Sequence, residues 1–124
     1  MEDYLKEVDS EHYFLAANGM VIKSLEELAV GVEGMDNHTF KHHVNHQRND
    51  FVNWIRDIIK DEILAKELSE IKEKHLTALV LMKRIKNIKK EIKIKKFFSS
   101  SVMEFFYGAV TGIIIGFVIA LIIL

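Results

Sequence analysis

Four of the chain's six histidines, His38, His42, His43 and His46, fall within nine residues. Imidazole nitrogens ligate transition metals and exchange protons near neutral pH, so this cluster is the first candidate for chemistry. On one helix, His38, His42 and His46 project within about 80° of one another, and a histidine pair at i, i+4 is what holds zinc in H-E-x-x-H metalloproteases. The glutamate of that motif is missing, and no carboxylate or thiol stands at companion spacing. Imidazoles without groups to orient them make a weak metal site. The sequence therefore assigns no metal. His38, His42 and His46 are kept as the alternative, in which the domain is a metal- or pH-responsive regulator. His43 points the other way, beside Phe40 and Val44, where a histidine serves as a core residue bonded to backbone or carboxylate. Asp50 is its candidate partner.

Other reactive groups are sparse. There is no cysteine among the 124 residues, which excludes disulfides and thiolate metal sites, and no proline to interrupt a helix. No Gly-rich phosphate loop occurs, and no Ser or Lys nucleophile has an identifiable base. Catalytic and cofactor-binding residues are accordingly assigned to none, and the chain is expected not to be an enzyme.

Residues 105–124 contain no charged residue. As a helix rising about 1.5 Å per residue, they span roughly 30 Å, the thickness of a bilayer's hydrocarbon core. A single transmembrane anchor is predicted, while the acidic start of the chain lacks the apolar run of a signal peptide. Gly108, Gly112, Gly116 and Ala120 recur at four-residue intervals and form a groove suited to packing against a second copy or another membrane subunit. Thr111 is the one hydroxyl in the span's middle, and it can bond to its own helix. Without an ionisable group there, the span is expected to anchor rather than transport. Phe97, Phe98, Phe105, Phe106 and Tyr107 gather where aromatic rings favour the headgroup layer, around a transition at residues 97–101.

The net charge of −1 conceals a division. Residues 1–82 hold nine Lys/Arg against sixteen Asp/Glu, whereas residues 83–96 hold eight basic residues against Glu91 alone. A basic block flanking an apolar span marks the cytoplasmic side. The head is thus expected in the cytoplasm, the protein in the cell membrane, and Leu124 at the far leaflet. Lys89, Lys90, Lys93, Lys95 and Lys96 are the candidate membrane-surface residues, with lipid as their partner. Ile85, Ile88 and Ile92 share a face, so the segment either lies on the lipid or, as preferred here, stands as a solvated stalk. Leu81, Ile85, Ile88 and Ile92 also alternate as a short coiled-coil seam does. Nucleic acid is excluded as a partner by the acidic head and by the lack of aromatic residues among the lysines.

The fold class that positions these groups is mainly α: a small helical head with a short β-hairpin, a long basic helical stalk and one C-terminal transmembrane helix. Residues 1–12 read as a loose acidic arm, 13–68 as the head, 69–98 as the stalk, and 99–124 as interfacial segment and anchor. Within the head, Tyr13 to Ile22 suggests a hairpin about Asn18-Gly19. Ser24 and Glu27 have capping-box spacing ahead of a helix that stops near Gly34. Asp36 is placed to cap a helix over 37–46, and Asn49 or Asp50 one over 51–59. On the latter, Phe51, Val52, Trp54, Ile55, Ile58 and Ile59 share one wide face, the expected centre of the core. Asp61 caps a short segment containing Ile63, Leu64 and Leu68, and helical periodicity runs from Ser69 to Lys96.

Tyr13-Phe14-Leu15 through Asn18-Gly19, Lys23-Ser24-Leu25-Glu26-Glu27-Leu28, Met35, Phe40, His43-Val44-Asn45, Asn49-Asp50-Phe51-Val52-Asn53-Trp54-Ile55, Asp61 and Leu64-Ala65 resemble a small prokaryotic domain family. It is a domain of unknown function, the DUF5752 type, frequent in archaea. The resemblance covers about residues 13–68, and the Asn-Asp-Phe-x-x-Trp-Ile block is its most distinctive part. It implies a stand-alone helical module with a small hairpin and supplies no activity. The combined expectation is a non-enzymatic, tail-anchored, single-pass adaptor or small subunit that tethers a cytoplasmic protein to the membrane.

Overall fold

The computed structural model describes residues 3–99 and 103–123. It divides into two units, Met1–Ile88 and Lys89–Leu124. The described residues are mainly helical with one antiparallel hairpin, as expected.

The hairpin pairs β1 (Phe14–Leu15) with β2 (Val21–Ile22), Phe14 opposite Ile22 and Leu15 opposite Val21. Its loop closes through the Gly19 amide, which donates to the Ala16 carbonyl at 2.9 Å. Gly19 adopts φ +90°, a conformation that a side chain would strain. Two-residue strands cannot stand alone in water, so the hairpin depends on what it packs against. Phe14 meets Phe51 and Trp54 at ring separations of 5.2 and 6.0 Å, and Ile22 is buried.

Helix α1 (Leu25–Gly34) starts on the Ser24 hydroxyl, which accepts from the Glu27 amide at 3.2 Å. Glu27 reaches back one residue further than a standard capping box, accepting from the Lys23 amide at 2.7 Å. Gly31 lets this helix close on β2, since a Cβ there would stand 2.9 Å from the Met20 sulfur and 3.3 Å from Ile22 Cδ1. Helix α2 (Asn37–His43) is capped by Asp36, whose carboxylate accepts from the Thr39 amide at 2.7 Å. That bond holds the Asp36 carboxyl below its ordinary value.

Helix α3 (Asp50–Trp54) is capped by Asn49 and runs on into a π-helical turn, Ile55–Ile59. The wide apolar face lies inward as expected: Phe51, Val52, Trp54, Ile55 and Ile59 are buried, while Asn53, Arg56 and Asp57 are exposed. Lys60 ends the turn in the left-handed region at φ 71°, its amide donating to the Ile55 carbonyl. Helix α4 (Glu62–Ser69) starts on Asp61, which accepts from the Leu64 amide at 3.1 Å. Leu64 and Leu68 are buried, but Ile63 faces solvent.

Helix α5 (Lys74–Phe97) corrects the stalk expectation twice. The helix is not continuous from Ser69. Ser69 Oγ donates to the Lys66 carbonyl at the end of α4, and Glu73 begins a new helix by accepting from the amides of Leu76 and His75 at 2.7 and 2.9 Å. Those bonds hold the Glu73 carboxyl below its usual value. The seam residues are not a coiled-coil surface either. Leu81, Ile85 and Ile88 are 0, 8 and 6% exposed and belong to the head's own core, leaving only Ile92 outside. The head therefore extends past Leu68 to Ile88.

The acidic arm is likewise part of the head. Tyr4, Leu5 and Val8 pack against the core, and the Val8 amide donates to the Lys23 carbonyl at 2.9 Å. Trp54 Nε1 donates to the His12 carbonyl at 2.7 Å. Three apolar residues and these backbone bonds outweigh the polar composition of the segment.

Helix α6 (Met103–Ile123) follows. Leu124, Ser100 and Ser101, to which the sequence assigned the far leaflet and the stalk-to-membrane transition, lie outside the described residues.

Candidate functional site

His43 is 5% exposed, and both of its ring nitrogens are engaged. Nε2 lies 2.9 Å from the Ala17 amide, which can only donate, so Nε2 carries the lone pair. Nδ1 therefore carries the proton and donates to Asp50 Oδ2 at 2.9 Å. The His–Asp pairing resembles half of a catalytic relay, yet the nitrogen that would take a substrate proton is already occupied by backbone. Its surroundings are rings of the core: Phe14 at 5.1 Å and Phe51 at 5.3 Å. The histidine thus ties the hairpin loop, α2 and the start of α3 together. This is the core role, with Asp50 as partner, that the sequence suggested.

The other three histidines are not assembled into a site. Helix α2 ends at His43, so His46 is off the helix, contrary to the range predicted for it. Asn45 is the cause. Its carboxamide accepts from the amides of Gln47 and Arg48 at 2.9 and 3.2 Å, a local turn that competes with further helix. Arg48 then folds back, donating to the His42 carbonyl at 2.9 Å with a guanidinium nitrogen 3.5 Å from His42 Nε2. A cation beside that nitrogen is the opposite of what a metal ion needs. Among the described residues, the metal-capable side chains gathered within 4.8 Å of one another are Asp9, Glu11 and His12, all exposed, and not His38, His42 and His46.

Sequence reasoning missed a buried ion pair in the head. Asp61 is 1% exposed, and beyond capping α4 it pairs with Arg84, whose Nε and Nη2 donate at 2.8 and 3.1 Å. The pair joins the start of α4 to the middle of α5. The available signal was Arg84 itself, the one arginine among the lysines of the basic block, since arginine suits bidentate carboxylate pairing.

In the second unit, Glu104–Ile123 forms a helix of 20 residues with mean hydropathy 2.5, long and apolar enough to cross a membrane, and none of it is buried. Every member of the head's core cluster lies between Ile22 and Ile88, so that core closes without α6. Thr111 Oγ1 donates to the Tyr107 carbonyl at 2.7 Å, satisfying the hydroxyl within its own helix. A Cβ added at Gly108, Gly112 or Gly116 would meet nothing within 4 Å. Lys89, Lys90, Lys93, Lys95 and Lys96 are all exposed.

On the head, an open trough of about 740 Å³ runs beside β2 and α1, lined by Met20, Val21, Val30 and Gly31 and edged by Lys23, Glu26 and Glu27. Comparison with protein-family models, curated proteins and solved structures finds no match to this chain.

Proposed function

We propose that this protein is a non-enzymatic, single-pass membrane adaptor whose head stands on the cytoplasmic side and holds a cytoplasmic protein near the bilayer. The observation that carries the reading is α6: a 20-residue helix of mean hydropathy 2.5 with none of it buried, in a chain whose head completes its core without it. In water such a surface is costly, at about 25 cal/mol per Å² of apolar area, whereas lipid covers it. The basic residues of 83–96 against the acidic residues of 1–82 support a cytoplasmic head. The open glycine face supports packing on a second copy or another membrane subunit. Exposed Leu15, Val21 and Val30 near the trough support a protein partner for the head. Kinship of residues 13–68 with the prokaryotic domain of unknown function belongs to the same proposal.

The test is carbonate extraction of membranes carrying the full chain and an Ile114→Lys/Val118→Lys variant. Each central lysine opposes insertion by about 2.5–3.5 kcal/mol. The native chain should remain in the pellet and the variant should be released; a native chain soluble without detergent overturns the reading. Because the sequence has no cysteine, a single Lys41→Cys probe reports sidedness without background. It should react with an impermeant maleimide only after the cells are opened.

A further inference from the structure

We infer that Lys89, Lys90, Lys93, Lys95 and Lys96 form a collar that selects anionic phospholipid headgroups around the anchor, by charge alone and without an inserted apolar helix face. The inference rests on the membrane reading of α6. A helix lying flat on lipid needs an apolar face to bury. The face available in sequence, Ile85, Ile88 and Ile92, is unavailable in the fold, because Ile85 and Ile88 are buried in the head's core.

What remains beyond Ile88 has no single polar side. At 100° per residue Lys89, Lys93 and Lys96 fall within about 60° of one another, with Lys90 and Lys95 displaced by about 100° and 240° from Lys89. Ile94, Phe97 and Phe98 lie between them and are exposed, with the Phe97 and Phe98 rings 5.9 Å apart. Lysines spread around the helix suit a segment that meets the headgroup layer end-on. From Phe97 back to Lys93 the helix rises about 6 Å and back to Lys89 about 12 Å, against a screening length of about 8 Å at physiological salt. With the phenylalanines at the headgroups, Lys93, Lys95 and Lys96 therefore stand within one screening length of the leaflet, and Lys89 and Lys90 reach toward it along their flexible side chains. Glu91 is the only acid among residues 89–96.

The experiment reconstitutes the full chain into phosphatidylcholine bilayers containing a minority of phosphatidylserine. Spin-labelled versions of the two lipids then report how strongly each associates with the protein. Phosphatidylserine should be favoured severalfold, about fivefold at most if one lysine contact sets the difference. The preference should vanish in 1 M salt, where the screening length is about 3 Å. It should also vanish in a variant carrying Lys→Gln at 89, 90, 93, 95 and 96, which keeps Lys83, Arg84 and Lys86 for topology. Equal association of both lipids with the native chain overturns the collar while leaving the anchor intact. A preference that survives the five substitutions also overturns it. Failure of the native chain to enter bilayers removes the membrane reading itself, which separates the two outcomes.

Discussion

Cutting the chain after Leu68 should unfold the head, whereas cutting it after Ile88 should leave the head folded and soluble. Residues 69–88 contribute Leu81, Ile85 and Ile88 to the core, at 0, 8 and 6% exposure, together with fully buried Ala78. Burying a large aliphatic side chain is worth about 1.5–3 kcal/mol, so the three together supply about 5–9 kcal/mol. A domain of this size has a total stability of roughly 4–13 kcal/mol at about 0.05–0.15 kcal/mol per residue. The shorter fragment also loses Lys74, which donates to the Met35 carbonyl at the end of α1 at 2.8 Å. Urea denaturation followed by circular dichroism distinguishes the two fragments. Residues 1–88 should show one cooperative transition without detergent, and residues 1–68 none. A transition in the short fragment within about 1 kcal/mol of the long one would refute the packing argument. An unfolded 1–88 fragment would show instead that the head's core needs something outside it.

Arg84→Met should destabilise the 1–88 fragment by about 3–5 kcal/mol, because it strands a buried carboxylate. Asp61→Asn/Arg84→Met should recover at least half of that loss while keeping the α4 cap, and additive urea-derived losses would refute the coupling. Asp36 and Glu73 have folded values lowered from 3.8 and 4.5, so their contribution is complete above those values and is lost as pH falls through the depressed folded values. Asp36→Asn and Glu73→Gln should each flatten the acid limb of a thermal-melt series against pH. Tyr13, which donates to Glu7, is raised from 10.0, so its share is present below that value and disappears as pH climbs through the higher folded value. In α6, Gly112→Ile should abolish a detergent-stable dimer or complex seen by crosslinking, while Ile114→Leu on the opposite side should not. A native chain that is monomeric in mild detergent would remove the glycine face from the account.

Local rules determined much of this protein in advance. Ser24, Asp36, Asn49 and Asp61 all cap helices where their types and positions predict, because a cap bonds an amide only three residues away. The inward face of α3, the left-handed Gly19 and the apolar run of α6 are also short-range properties of the chain. Periodicity showed that Leu81, Ile85 and Ile88 share a face but not what covers it, since core, partner helix and lipid all reward the same pattern. The tertiary structure decided in favour of the core. It also set the proton of His43, through an amide 26 residues away, and paired Asp61 with Arg84 across 23 residues. His46 left its helix because a side-chain turn at Asn45 competed with the ladder, a balance that spacing alone cannot weigh. Sequence fixes bonds that close within a turn of backbone; those between distant segments depend on which faces meet when the core closes.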